Sequence, residues 1–154
     1  TGPGTEKRAP TPSSSVGEVN LTIHQAYLPA DDPEAARRFY CDILGFELRG
    51  DVGKGALRWL TVGPPGQPGT SIVLTPPGAD PSISDEERRV IIDMMAKGTY
   101  GAINLATPSV DATFAQLEAA GVDIVQEPLD QPWGLRDCAV RDPAGNLVRI
   151  IQAP

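Results

Sequence analysis

The sequence predicts an α+β fold built from one element order, strand–helix–three strands, used twice. Three observations predict it. Short runs with apolar residues at alternate positions recur along the chain, as strands with one buried face require. Two stretches with helical spacing and a closing glycine, "DDPEAARRFYCDILGF" and "SVDATFAQLEAAG", stand at matching places. The order of elements repeats even though the residues themselves hardly do.

Residues 1–18, "TGPGTEKRAPTPSSSVGE", are rich in Pro, Ser, Thr and Gly and hold almost nothing to bury, so a flexible N-terminal arm is expected there. A first module is expected over about 19–78. It opens with the alternating, branched run "VNLTIHQAYLP" (19–29), a strand. The helix that follows has an acidic start and Pro33 in its first turn, with Ala36, Phe39, Tyr40 and Ile43 on one face and Gly45 as its stop. "FELRGDV", "ALRWLTVG" and "TSIVLTP" supply three strands separated by Gly/Pro turns. The loop "GPPGQPGT" is a hairpin connection and not a phosphate cradle, because its prolines remove donors.

A linker helix is expected over about 84–98, opened by the capping-box pair Ser84 and Glu87. The second module, about 100–152, repeats the order: "GAINLATP", the helix "SVDATFAQLEAAG", then "VDIVQEP", "LRDCAVRDP" and "NLVRIIQ". Asp142 is expected to stabilise its own turn in "RDPAGN".

Composition bounds the function. With 154 residues, 40% of them hydrophobic, the chain suits one compact domain or two small fused modules. Thirteen basic against twenty acidic residues give a net charge of −7, which opposes a nucleic-acid partner. The same charge suits a cationic ligand or plain solubility. No apolar run approaches the roughly 18–20 residues that span a bilayer, and no charged-then-apolar start resembles a signal peptide. A cytoplasmic protein with no membrane partner is expected. Cys41 and Cys138 lack metal-type spacing and are expected to be small buried hydrophobes.

Three segments in sequence, "LPADDPEAARRFYCDILGFEL", "VDATFAQLEAAGV" and "RDPAGNLVRI", carry a resemblance. Over about residues 19–152 the chain resembles the vicinal oxygen chelate superfamily, also called the glyoxalase/bleomycin-resistance/dioxygenase family. The resemblance implies two βαβββ modules whose curved mixed sheets surround a cleft, and a homodimer. In the family's enzymes, it also implies a divalent metal held by side chains from the first and last strands of each module. Carried onto this chain, those positions fall on Gln25 (or His24, after a one-residue shift), Val73 or Thr75, Ala102 and Arg149. Arginine does not deprotonate in proteins, so a guanidinium there repels a cation. The single histidine also cannot make a two-histidine, one-carboxylate iron site. No metal and no cofactor are expected.

Each remaining candidate has a functional and a structural reading. Arg149 either holds a ligand oxyanion through its planar fork or pairs with an acid on a neighbouring strand such as Asp137. Gln25 either orients a polar ligand group or is a satisfied amide. Alternation turns His24 to the opposite face, where a packed or partly exposed histidine is the commoner outcome. Trp59 and Thr61 share the face opposite the helix-packed Leu60 and Val62, so Trp59 offers a stacking platform or is plain core. Trp133, in the turn "QPWGLRD", is placed at a pocket rim. Asp137 becomes a general base only if desolvated. Met94 and Met95 form either an adaptable lid or helical core.

The leading expectation is a metal-independent small-molecule-binding protein resembling the bleomycin-resistance branch, which sequesters antibiotics or natural products. Its expected ligand-binding residues are Gln25, Trp59, Thr61, Trp133, Asp137 and Arg149. The alternatives are a lyase or isomerase of the same superfamily, possibly metal-dependent, and a structural or regulatory dimer with a vestigial cleft.

Overall fold

The computed structural model describes residues 17–154; residues 1–16, nearly all of the expected arm, lie outside the described residues. Among the described residues, eight strands form two four-stranded mixed sheets with the same internal order. Sheet 1 contains β1 (Gln25–Pro29), β2 (Glu47–Lys54), β3 (Leu57–Gly63) and β4 (Ser71–Thr75), arranged β1-β4-β3-β2. Sheet 2 contains β5 (Ala102–Thr107), β6 (Asp123–Asp130), β7 (Arg136–Arg141) and β8 (Leu147–Gln152), arranged β5-β8-β7-β6. In each sheet the first strand runs parallel to the last, and the other neighbours are antiparallel.

Three helical elements join them. Helix α1 (Pro33–Arg37) is capped by Asp32, whose side chain accepts from the Ala35 amide. It runs on into a π-helical segment, Arg38–Ile43, closed by Gly45 at φ 81°. Its wider turn departs from the regular helix expected from the spacing, yet Ala36, Phe39 and Tyr40 still face the core. Helix α2 (Asp85–Lys97) has the full capping box: the Glu87 amide donates to Ser84 Oγ at 3.1 Å, and the Ser84 amide donates to Glu87 Oε1 at 2.8 Å. Helix α3 is Val110–Ala119. No helix among the described residues is long and apolar enough to cross a membrane.

β1 is shorter than the 19–29 run of alternating residues. Among the described residues its ladder partner is β4, which pairs Ser71 with Gln25 and goes no further back, so residues 19–24 have no described strand beside them. They are tethered by the Ser71 amide to the His24 carbonyl (3.0 Å) and by Thr70 Oγ1 to the Ile23 carbonyl (3.1 Å). The proline-rich 64–70 loop has few donors of its own, the Gln67 and Thr70 amides reaching the Pro64 and Gln67 carbonyls at 3.0 and 3.4 Å, and Arg49 adds more. Its guanidinium donates to the Pro64, Gln67 and Thr70 carbonyls at 2.7, 3.2 and 2.8 Å.

One core serves both modules. Leu28, Leu60, Val62 and Leu74 from sheet 1 share a buried cluster with Val140, Val148 and Ile150 from sheet 2, together with Phe39, Tyr40, Val110 and Leu117 from the helices. Each such side chain contributes on the order of 1.5–3 kcal/mol by leaving water. Cys138 belongs to this cluster, Cys41 packs against it, and both are free thiols whose pKa burial raises.

Polar contacts lock the modules together across the core. The Tyr40 hydroxyl donates to Asp142 Oδ2 at 2.6 Å. Asn146 Nδ2 donates both to that oxygen (2.8 Å) and to the Pro29 carbonyl (2.9 Å). Asp142 Oδ1 accepts from the Ala144 and Asn146 amides at 2.9 Å each, stabilising its own turn. Burial, and then the Asp142 carboxylate, pushes the Tyr40 phenol far above its ordinary range, so it remains a donor. Because the strands spend their apolar sides on this shared core, their other faces point outward.

Candidate functional site

Register shows what each outward face carries. On sheet 1, Gln25, Tyr27 and Pro29 of β1 alternate with the core-facing Leu28, and Trp59 and Thr61 of β3 alternate with Leu60 and Val62. Val52 stands opposite Trp59 on β2 and is exposed. Val73 and Thr75 of β4 share this side with Tyr27 and Pro29, their register partners.

Against this face lies a cleft of about 490 Å³. Three aromatic side chains, Tyr27, Trp59 and Tyr100, line it together with Pro29, Pro76, Ile83 and Ile91; Thr75 and Asp80 add polar atoms. Helix α2 supplies Ile91, and the 76–83 segment forms a wall. Arg88 of α2 holds that wall by donating to the Gly78 carbonyl from Nε and Nη2, at 3.2 and 3.0 Å. Such a lining offers rings for stacking and apolar surface for desolvation.

The outward face of sheet 2 carries a polar cluster among apolar residues such as Leu129, Leu147 and Ile151. Arg149 on β8 stands between Asn104 on β5 and Ala139 on β7, all on one face. Arg149 Nη1 donates to Gln126 Oε1 at 3.2 Å and makes a 3.4 Å ion pair with Asp137 Oδ2. The other Asp137 oxygen accepts from Gln126 Nε2 (2.8 Å) and Gln131 Nε2 (2.9 Å). Asp137 is only 2% exposed. Burial alone raises its pKa, but the amides of Gln131 and Gln126 and the Arg149 charge outweigh it and hold the carboxyl below its ordinary range. An acid so fully engaged is a weak base, which counts against the general-base reading.

The expected site residues therefore fall into two groups. Gln25, Trp59 and Thr61 lie on sheet 1, and Asp137 and Arg149 touch each other on sheet 2. Gln25 Nε2 donates to the Tyr27 hydroxyl at 3.1 Å, and His24 is exposed just before β1. Trp133 is 69% exposed in the β6–β7 turn and is not part of the aromatic cleft. Met95 is buried and Met94 exposed, so the pair divides between core and surface. Tyr27 was readable beforehand, two residues after Gln25 on the same strand face. Tyr100, Gln126 and Gln131 carried no local signal, because the tertiary fold brings them in.

The four positions that the family resemblance assigns to a metal fall on Gln25 (or His24), Val73 or Thr75, Ala102 and Arg149. None is a carboxylate, and the last is a cation already ion-paired. Among the described residues, no group of three or more His, Cys, Asp or Glu side chains is placed to hold an ion. These residues do not fit a divalent metal.

The sequence profile of the Glyoxalase/Bleomycin resistance protein/Dioxygenase superfamily matches residues 22–150. The chain belongs to that superfamily. Among solved structures of similar proteins, UcmS2 is 35% identical with a TM-score of 0.76, over 86% of this chain and 98% of that one. TnmS3, an antibiotic binding protein from Streptomyces sp. CB03234, is 29% identical with a TM-score of 0.68, over 89% and 99%. The Bacillus subtilis (strain 168) protein YurT is 29% identical over 123 residues, 79% of this chain and 91% of YurT. The paired four-stranded sheets are thus the superfamily's glyoxalase-like fold, as the three sequence segments implied.

Proposed function

We propose that this protein is a metal-independent small-molecule-binding protein of the antibiotic- or natural-product-sequestering kind, working as a cytoplasmic homodimer. The observation that carries the proposal is the cleft of Tyr27, Trp59 and Tyr100 beside a sheet whose metal positions hold no suitable donors. Likeness to TnmS3, described as antibiotic binding, supports the ligand class. The dimer is supported by the exposure of Val19, Leu21, Ile23, Val52 and Leu57. A second copy laid over these side chains removes that apolar surface from water and leaves the cleft and Arg149 open.

Fluorescence titration of a Trp133→Phe protein, in which Trp59 is the remaining tryptophan, tests the reading. A panel of polycyclic and glycopeptide antibiotics is expected to contain ligands that quench Trp59 saturably. Trp59→Ala, measured by isothermal titration, should weaken those ligands by about tenfold or more, the equivalent of one lost stacking contact. Light scattering checks the dimer. A panel without a saturable ligand, or a stoichiometric divalent metal in the purified protein, overturns the proposal and favours the lyase or isomerase reading.

A further inference from the structure

The arginines of this chain differ in which edge of the guanidinium they use. Arg58 presents its Nε/Nη2 fork to Asp51 at 2.9 and 2.8 Å, and Arg136 presents the same fork to Asp111 at 3.0 and 2.8 Å. In both, the edge best suited to a planar oxyanion is filled. Arg149 is the reverse. Both of its bonds leave from Nη1, to Gln126 and Asp137, while Nε and Nη2 donate to nothing among the described residues. Its side chain is 30% exposed, on an outward sheet face. Arg141 also uses only Nη1, but it lines a polar cleft with Asp31, Asp123 and Asp142, which disfavour an incoming anion.

We propose that the free Nε/Nη2 fork of Arg149, flanked by the carboxamide of Asn104, is a subsite for a planar oxyanion, a carboxylate or enolate carried by the small-molecule ligand. The inference deepens the binding role proposed above and rests on it for biological meaning. Three physical points support the geometry. Asp137 grips only Nη1, so it orients the guanidinium while leaving three of its five N–H donors available. Two of those donors are parallel and match carboxylate geometry. Asn104 is the ladder partner of Arg149 across β5–β8, on the same face, with its own side chain exposed and making no hydrogen bond to the described residues. A ligand's oxyanion docked there neutralises a charge that Asp137, shared with two glutamine amides, offsets only in part.

Benzoate is the probe, because it carries the oxyanion without a polycyclic body and so reads this subsite apart from the aromatic cleft. Side-chain ¹⁵N NMR of the full chain follows the Arg149 Nε–H signal, assigned from its loss in Arg149→Lys. Benzoate is expected to shift that signal saturably, with the other arginine signals in place, and methyl benzoate is expected to leave it unmoved. Arg149→Lys keeps the positive charge but loses the fork, and, followed by the Asn104 side-chain amide signal, should weaken benzoate by about tenfold, roughly 1.4 kcal/mol. Asn104→Ala, an exposed change that leaves Arg149 visible, should weaken it several-fold. An Arg149 signal indifferent to benzoate, or one moving no more than every other arginine, overturns the subsite. Saturable quenching of Trp59 by a polycyclic ligand would still stand in that event, so the two proposals fail separately.

Discussion

Replacing Tyr40 by phenylalanine removes one oxygen from a fully buried ring and cuts the 2.6 Å bond between the first helix and the β7–β8 turn. The ring itself keeps its edge-on contact with Phe39, at a centroid distance of 4.9 Å, so packing is nearly conserved. A hydrogen bond to a charged acceptor contributes about 1.5–3 kcal/mol. Asp142 retains the Asn146 side chain on Oδ2 and two backbone amides on Oδ1, so it is not stripped of donors. The lower half of that range applies, about 1.5–2 kcal/mol. For a domain of this size such a loss lowers Tm by about 3–8 °C. Urea denaturation should show a shifted midpoint with an unchanged slope, because the surface exposed on unfolding is the same. Asp142→Asn and the double variant complete the cycle, with an expected coupling of at least about 1 kcal/mol. A Tyr40→Phe loss below about 0.5 kcal/mol, or strictly additive single effects, would refute the view that this bond ties the modules.

Further outcomes follow from the same structure. A methyl group at Gly101 would collide with Asn146 Oδ1, a buried oxygen with no hydrogen-bond partner among the described residues, so Gly101→Ala should cost about 1–3 kcal/mol by thermal denaturation; a neutral result would mean the turn yields freely. Asp137 has a lowered pKa, so its stabilisation is complete above the unfolded value of about 4 and is lost as pH falls through the lower folded value. Tm measured from pH 5 to 2.5 should therefore fall less steeply in Asp137→Asn than in the wild type, and parallel curves would contradict the assignment.

Much of the fold was legible because its signals are local. Ser84 and Glu87 announce α2 through backbone bonds three residues apart, and Leu60 and Val62 betray β3 by alternation alone. Strand ends were less legible: Val19 to His24 have the pattern of a strand, but pairing depends on where β4 begins. The π-helical segment after Arg37 leaves no mark on the apolar spacing. At the candidate site, the pairing of Arg149 with Asp137 could be anticipated, because adjacent strands place them on one face. The clamp by Gln126 and Gln131 could not, because the bulged register of β6 decides which amides arrive. Trp59 and Trp133 could be placed on their elements, but not apart from each other, since that separation belongs to the arrangement of modules.

Two halves of identical topology present different chemistry on their outward sides: rings and prolines stand out on the first, an arginine with its acid and amides on the second. Neither side is bound by the other's packing, because both lean on a core made from their opposite faces. Substitutions on one side can therefore be explored without disturbing its counterpart, provided the strands keep their inward residues. In the binding roles proposed above, a scaffold of this kind can trade one hydrophobic guest for another through Tyr27, Trp59 and Tyr100 while retaining the oxyanion subsite at Arg149. It can equally change polar selectivity and leave the stacking surface untouched.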